Sequence, residues 1–326
     1  LRNTKLNKPY SQTKSELIRL LLEPSWTADE RIAALEPLGI DDLRAFVPVL
    51  MARLYVMSLS HGNVLESDAI AMTEIVRDAL VNETEPAELL ESRVVKLAPA
   101  ARHLRELDID HDDSAITVYF QGSDRSFETR ARFALVSQVL SSPFYTQLRT
   151  ERQLGYIVYA SYESLLEIPG ISFVIQSPET GPAELERQIL AFLSDYAQHL
   201  DSMDGDAFEA QKMGAISTLL EEDKTLWERS SRYWYEIDRR QFSFDTTARL
   251  ARAVEKIEKD DFRRFFTDTL LSDNRKTITV RSIGRAQTDA GDTAEEVREK
   301  ITEARNFRAG QHYFERRRSV TDMDSD

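Results

Sequence analysis

The chain has 326 residues, 41% hydrophobic and 30% charged, with 11 Gly and 10 Pro; at ~150 residues per domain that is about two domains, enough to fill two modest cores. This excludes wholesale disorder, collagen-like and low-complexity classes, and without a run of ~18 apolar residues no transmembrane helix is expected. With 42 basic against 56 acidic side chains the net charge is −14, which repels phosphate backbones and anionic lipid, so neither nucleic acid nor membrane is an expected partner.

Residues 1–80 read as mostly helical. Leu17, Ile18, Leu20, Leu21 and Leu22 end at Pro24, a helix stop. Ile32, Leu35 and Leu38 follow, then Leu43, Phe46, Val47, Leu50 and Leu54. A short strand is expected from Tyr55 to Ser60, closed by His61-Gly62-Asn63. A helix restarts near Ser67, with Ile70, Met72, Ile75, Val76 and Leu80 on its apolar face. The polar stretch Asn82 to Ala101, with Pro86 and Pro99, reads as an interdomain linker.

Beyond it, Ile116, Val118 and Phe120 alternate with Thr117, Tyr119 and Gln121, the pattern of a half-buried strand. A helix is expected from Phe127 to Leu140, started by Ser123/Asp124 and stopped by Pro143. Tyr156 to Tyr162 and Ile171 to Gln176 read as strands. Helices then carry Leu185, Ile189, Phe192, Tyr196 and Leu200; Met213, Ile216 and Leu220; Trp227 and Trp234; Leu250, Val254 and Ile257; and Phe262, Phe265 and Leu270. A last strand spans Thr277 to Ile283, and Thr293 with Glu296 three residues on signals a further helix. Early strands, helices in the middle and one late strand give an α+β sandwich, an antiparallel-rich sheet with helices packed on one face.

Cysteine is absent, which removes disulfides, thiolate nucleophiles and Cys-based zinc sites without fixing a compartment. The chain starts at Leu1 with no basic and apolar leader pattern, so it reads as an excised segment whose targeting signal would lie upstream. The five histidines, His61, His103, His111, His199 and His312, never fall four apart, so neither H-E-x-x-H nor H-x-x-E-H can be written. There is no G-x-S-x-G elbow, no S-x-x-K with its partner motifs and no phosphate loop. Arg316-Arg317-Arg318 lies in a tail that also holds Asp322, Asp324 and Asp326, and reads as solvated.

The segment Ser142-Pro143-Phe144-Tyr145-Thr146-Gln147-Leu148-Arg149-Thr150-Glu151-Arg152-Gln153-Leu154-Gly155-Tyr156-Ile157-Val158 stands apart. A helix stops at proline, a short helical turn follows, and Gly155 admits the chain into a strand, so that Arg149 and Tyr156 sit at its mouth. A guanidinium fork and a neighbouring phenol can hold a peptide backbone and stabilise charge on its carbonyl. The plainer alternative is an arginine paired with Glu151 or another acid, and a tyrosine filling an edge-strand gap.

The pattern Pro143-x-x-x-x-Leu148-Arg149-Thr150-x-x-Gln153-Leu154-Gly155-Tyr156-x-Val158 resembles the C-terminal-domain signature of the pitrilysin and insulin-degrading-enzyme family of zinc peptidases. His61-Gly62-Asn63, Ile175-Gln176-Ser177, Tyr233-Trp234 and Phe242-x-Phe244-Asp245 resemble other family segments in the same order, and the likeness spans residues 1–285. The resemblance implies pitrilysin-type αβ sandwich domains: 1–94 the end of a third domain, mostly helical and running into linker; 95–285 a fourth αβ domain; 286–326 a C-terminal helix and polar tail. Such peptidases have two halves enclosing a chamber, with H-x-x-E-H and a downstream glutamate in the N-terminal half. There zinc would activate water, and none of that chemistry is implied for this segment, which would not be catalytic alone. Arg149 and Tyr156 would bind substrate, with Tyr145 in the place of a nearby aromatic. Implied partners are the N-terminal half of the same chain, a peptide or polypeptide substrate, and a second copy, since some relatives pair through C-terminal domains. Bacterial pitrilysin-like members imply the periplasm, with the cytoplasm also open. A metal-free relative acting as a peptide-binding scaffold, or as a processing-peptidase-like subunit, is the alternative from another class. An independent enzyme with an unrecognised site is the third.

Overall fold

The computed structural model describes residues 1–81, 85–86, 92–285, 287 and 298–315. The expected helix at Thr293 and the arginine-rich tail from residue 316 lie outside the described residues.

Pro9 opens the first helix, α1 (Pro9–Leu21), a position where its missing N–H costs nothing. Leu17, Leu20 and Leu21 form a stripe at helical spacing and are buried. Short β1 (Leu22–Glu23) follows, then α2 (Ala28–Leu35), closed at its start by a Thr27/Glu30 capping box, and α3 (Ile40–Met51). After β2 (Arg53–Leu54) comes α4 (Glu66–Leu80). None of α2, α3 and α4 contains a buried residue: Phe46 is 53% exposed and Ile75 68%. The strand expected over 55–60 is absent. Among the described residues only Arg53 and Leu54 find a partner there, in β3 (Glu85–Pro86), and the apolar run Tyr55-Val56-Met57 is exposed and irregular.

Part of the polar stretch 82–101 is structured, because Val94 and Val95 are buried in β4 (Arg93–Lys96). Next come β5 (Arg102–Leu107), β6 (Ser114–Gln121) and the long α5 (Phe127–Tyr145), then β7 (Ile157–Leu165) and β8 (Ile168–Ser177). Five helices follow: α6 (Pro182–Ser202), α7 (Gly205–Leu219), α8 (Leu226–Asp238), α9 (Thr246–Glu255) and α10 (Lys259–Phe266). The chain re-enters the sheet as β9 (Thr277–Ser282) and ends its described part with β10 (Glu299–Ile301), α11 (Ala304–Ala309) and β11 (His312–Tyr313).

The main sheet has the order β10-β5-β9-β6-β8-β7. β6, β8 and β7 pair antiparallel and β6 is antiparallel to β9, while β10, β5 and β9 run parallel. Ile116, Val118, Phe120, Phe173 and Ile175 face a layer built from α5, α6 and α10, including Phe133, Phe144, Phe192, Phe262 and Phe266. The opposite face is covered too. There Leu17, Leu20 and Leu21 of α1 and Phe307 of α11 pack on Tyr119, Ile278 and Val280. Every residue of β6 is consequently buried, not half of them as its alternation suggested, and Thr117 reaches the Thr13 hydroxyl at 2.9 Å. A small antiparallel sheet, β1-β4-β11, closes the same side.

Candidate functional site

Helix α5 does not stop at Pro143 but runs through it to Tyr145. Proline removes one backbone donor, and buried Phe144 and Leu148 hold the chain helical across the gap. The helix then widens into a π-helical turn, Thr146–Glu151, closed by Arg152 N–H donating to Gln147 O at 2.9 Å. Gln153 adopts a φ of +53°, and the chain turns into β7 at Gly155. A Cβ at Gly155 would lie 2.2 Å from the main-chain oxygen of Gln176, so only glycine lets the chain pass this close to β8.

That turn brings together the three side chains singled out by sequence. The Arg149 guanidinium donates from Nη1 to the backbone carbonyl of Tyr156, and it lies 5.5 Å from the centre of the Tyr145 ring. Arg149 has no ion pair with Glu151 or any other acid among the described residues. Tyr145 and Tyr156 are 47% and 40% exposed, so the cluster faces outward at the edge strand β7.

The Tyr156 phenol is held by residues that sequence reasoning did not assign to it. Its hydroxyl is 2.6 Å from Asp113 Oδ2 and 2.5 Å from Gln176 Nε2, and Gln176 Nε2 also donates to Asp113 Oδ2 at 2.7 Å. The backbone N–H of Tyr10, at the start of α1, donates to Gln176 Oε1 at 3.1 Å, and Lys8 Nζ lies 5.9 Å from the Tyr156 ring centre. His111 Nδ1 accepts the Asp113 N–H at 3.0 Å and fixes the loop before β6. Burial, followed by the hydrogen bond and charge of Asp113, pushes the Tyr156 hydroxyl up to about 12. The one sequence cue for this network was Gln176 in the Ile175-Gln176-Ser177 segment. Nothing local marks Asp113 or Tyr10, which reach the site only through strand pairing and the packing of α1.

The other family-like segments also meet. His61 Nδ1 is 2.8 Å from Ser230 Oγ, the His61 ring contacts Tyr233 edge-on at 5.1 Å, and Tyr233 contacts Phe244 at 5.5 Å. Among the described residues no group of three or more His, Cys, Asp or Glu side chains is placed to hold a metal ion. His103 is buried between Phe307 and Glu299, and His199 lies against Tyr196. No described helix is long and apolar enough to cross a membrane.

Residues 135–234 match the family model described as PQQ synthase PqqF-like, C-terminal lobe domain 4, a range that contains Tyr145, Arg149 and Tyr156. The chain is 29% identical to mouse insulin-degrading enzyme over 293 residues, covering 87% of this chain and 29% of that protein. It is 30% identical to the Drosophila melanogaster insulin-degrading enzyme over 311 residues, covering 93% and 31%. Among solved structures, pitrilysin superposes with a TM-score of 0.84 at 21% identity, covering 96% of this chain and 33% of that one. The chain thus spans less than a third of the length of these curated relatives. Fold, motif order and long alignments agree, and the chain belongs to the pitrilysin and insulin-degrading-enzyme family of peptidases, matching the C-terminal part of its members.

Proposed function

We propose that this chain is the substrate-holding, non-catalytic C-terminal portion of a zinc metalloendopeptidase that degrades polypeptides inside a closed chamber. Its partners are then the N-terminal half of the same protein, which supplies the metal site, and an extended peptide. The observation that carries the reading is the Tyr145–Arg149–Tyr156 cluster, exposed at the mouth of β7. β7 is the last strand of the main sheet among the described residues, and an outer edge of this kind is the setting in which extended peptides are gripped. Arg149 spends one of its five donors on the Tyr156 carbonyl and keeps the rest for a substrate carbonyl. The uncovered apolar faces of α3 and α4, with Leu43, Phe46, Leu50, Ile70 and Ile75, favour a large intramolecular partner for residues 28–80. By analogy with bacterial pitrilysin-like members the reading extends to the periplasm, with the cytoplasm as the alternative.

The test uses the full-length protein and a quenched peptide substrate. Arg149→Ala and Tyr156→Phe are expected to lower kcat/KM by at least tenfold each, with circular dichroism and zinc content unchanged. For Arg149, loss of one well-aligned donor costs about 10²–10³ in favourable cases. Unchanged rates would leave the two residues structural. A full-length protein with no zinc and no cleavage would replace this reading with that of a peptide-binding scaffold.

A further inference from the structure

Tyr10 can only donate from its backbone N–H, so the Gln176 oxygen faces Tyr10 and its NH₂ faces Asp113 and Tyr156. The Asp113 carboxylate can only accept. The 2.6 Å contact between Tyr156 Oη and Asp113 Oδ2 therefore holds the phenol's single proton, and Gln176 Nε2 occupies one acceptor position on the phenol oxygen. What remains for an incoming group is one acceptor position, on a side chain that is 40% exposed.

We propose that Tyr156 meets the peptide as a hydrogen-bond acceptor for a backbone N–H, not as a donor to its carbonyl, and that Asp113 and Gln176 are the positioning residues that impose this polarity. Arg149, with donors only, takes the carbonyl side. A backbone N–H and C=O are then gripped by groups of opposite polarity at one strand entrance, which selects extended peptides in one chain direction. Burial and the Asp113 carboxylate together raise the phenol to about 12, in agreement with a phenol that keeps its proton and donates it to Asp113. This inference rests on the reading that Tyr156 touches substrate.

The experiment uses the full-length, zinc-loaded protein and a set of peptides in which single amides flanking the scissile bond are replaced by esters, deleting one N–H at a time. In the wild type one ester position is expected to raise KM about tenfold. In Tyr156→Phe that particular penalty disappears. Tyr156→Phe slowing the parent peptide while every ester penalty persists overturns the inference and leaves the site reading intact; no effect of Tyr156→Phe on the parent peptide removes the site reading itself. Asp113→Asn gives an independent arm. The ultraviolet titration of Tyr156 is expected to fall below about 12, with burial still holding it up, and KM to rise with kcat unchanged. If neither moves, Asp113 does not set the polarity.

Discussion

Gly155→Ala probes the coupling between the turn and the grip it carries. The added methyl would meet a main-chain oxygen at 2.2 Å, with the Gln176 carbonyl carbon at 3.0 Å and Ile175 at 3.2 Å behind it. Ordinary van der Waals contact begins at about 3.4 Å, so the turn at Gly155 and β8 must part by roughly 1 Å, and the Gln176 atoms in the way are main chain, not a flexible side-chain end. Overpacking of this sort costs about 1–3 kcal/mol, and a weakened ladder hydrogen bond about 1 kcal/mol more, giving about 2–4 kcal/mol. With an m-value of about 3 kcal/mol/M, the urea midpoint of the purified chain falls by about 1 M. On the proposed function, the same displacement in the full-length protein moves Arg149 and Tyr156 by a comparable distance and lowers kcat/KM on the order of 10²-fold. A midpoint and a rate both equal to wild type would refute the argument that this glycine is dictated by the approach to Gln176.

Leu20→Ala removes a fully buried side chain between α1 and the sheet. It is expected to cost about 2–5 kcal/mol and to shift the main urea transition, whereas an α1 that folded apart from the sheet would leave that transition in place. Burial pushes the Asp124 carboxyl up, but hydrogen bonds from Ser126, Ser123 and Thr129 outweigh it and hold the group at about 2, below its ordinary 3.8. Its contribution is complete above pH 3.8 and is lost as pH falls through 2, so stability measured between pH 5 and 2 declines less steeply in Asp124→Asn than in wild type.

Long elements with a clear period were legible in the sequence. Helices α6 to α10 and strands β6 to β9 lie where their apolar spacing put them. The segment 142–158 could also be found, because proline, glycine and an arginine–tyrosine spacing of seven are local features. Illegible were the parts whose form is decided by distant neighbours. Strands of two or three residues, such as β1, β10 and β11, are too short to show alternation. The run at Tyr55 alternates well enough for a strand but pairs with nothing among the described residues. Pro143 reads as a stop, yet Phe144 and Leu148 are buried deeply enough to carry the helix past it. The partners of Tyr156 come from residues 10, 113 and 176, and no window of sequence contains them together.

Strand β4 is bracketed by the start and the end of the described chain: Val94 pairs with Leu22, and Val95 with Tyr313. The apolar stripe of α1 likewise waits for Ile278, Val280 and Phe307 to cover it. During synthesis at about 5–20 residues per second, Leu17, Leu20 and Leu21 emerge roughly 15–60 s before Phe307 does. Helix α1 can wind early, but its covering is complete only once Ile278, Val280 and Phe307 have been made. Assembly of this layer is therefore late and non-local, which places the molecule among slow folders. For that interval the nascent chain carries a greasy helix beside the equally bare α3 and α4, the stage at which holding by a chaperone matters most to its yield.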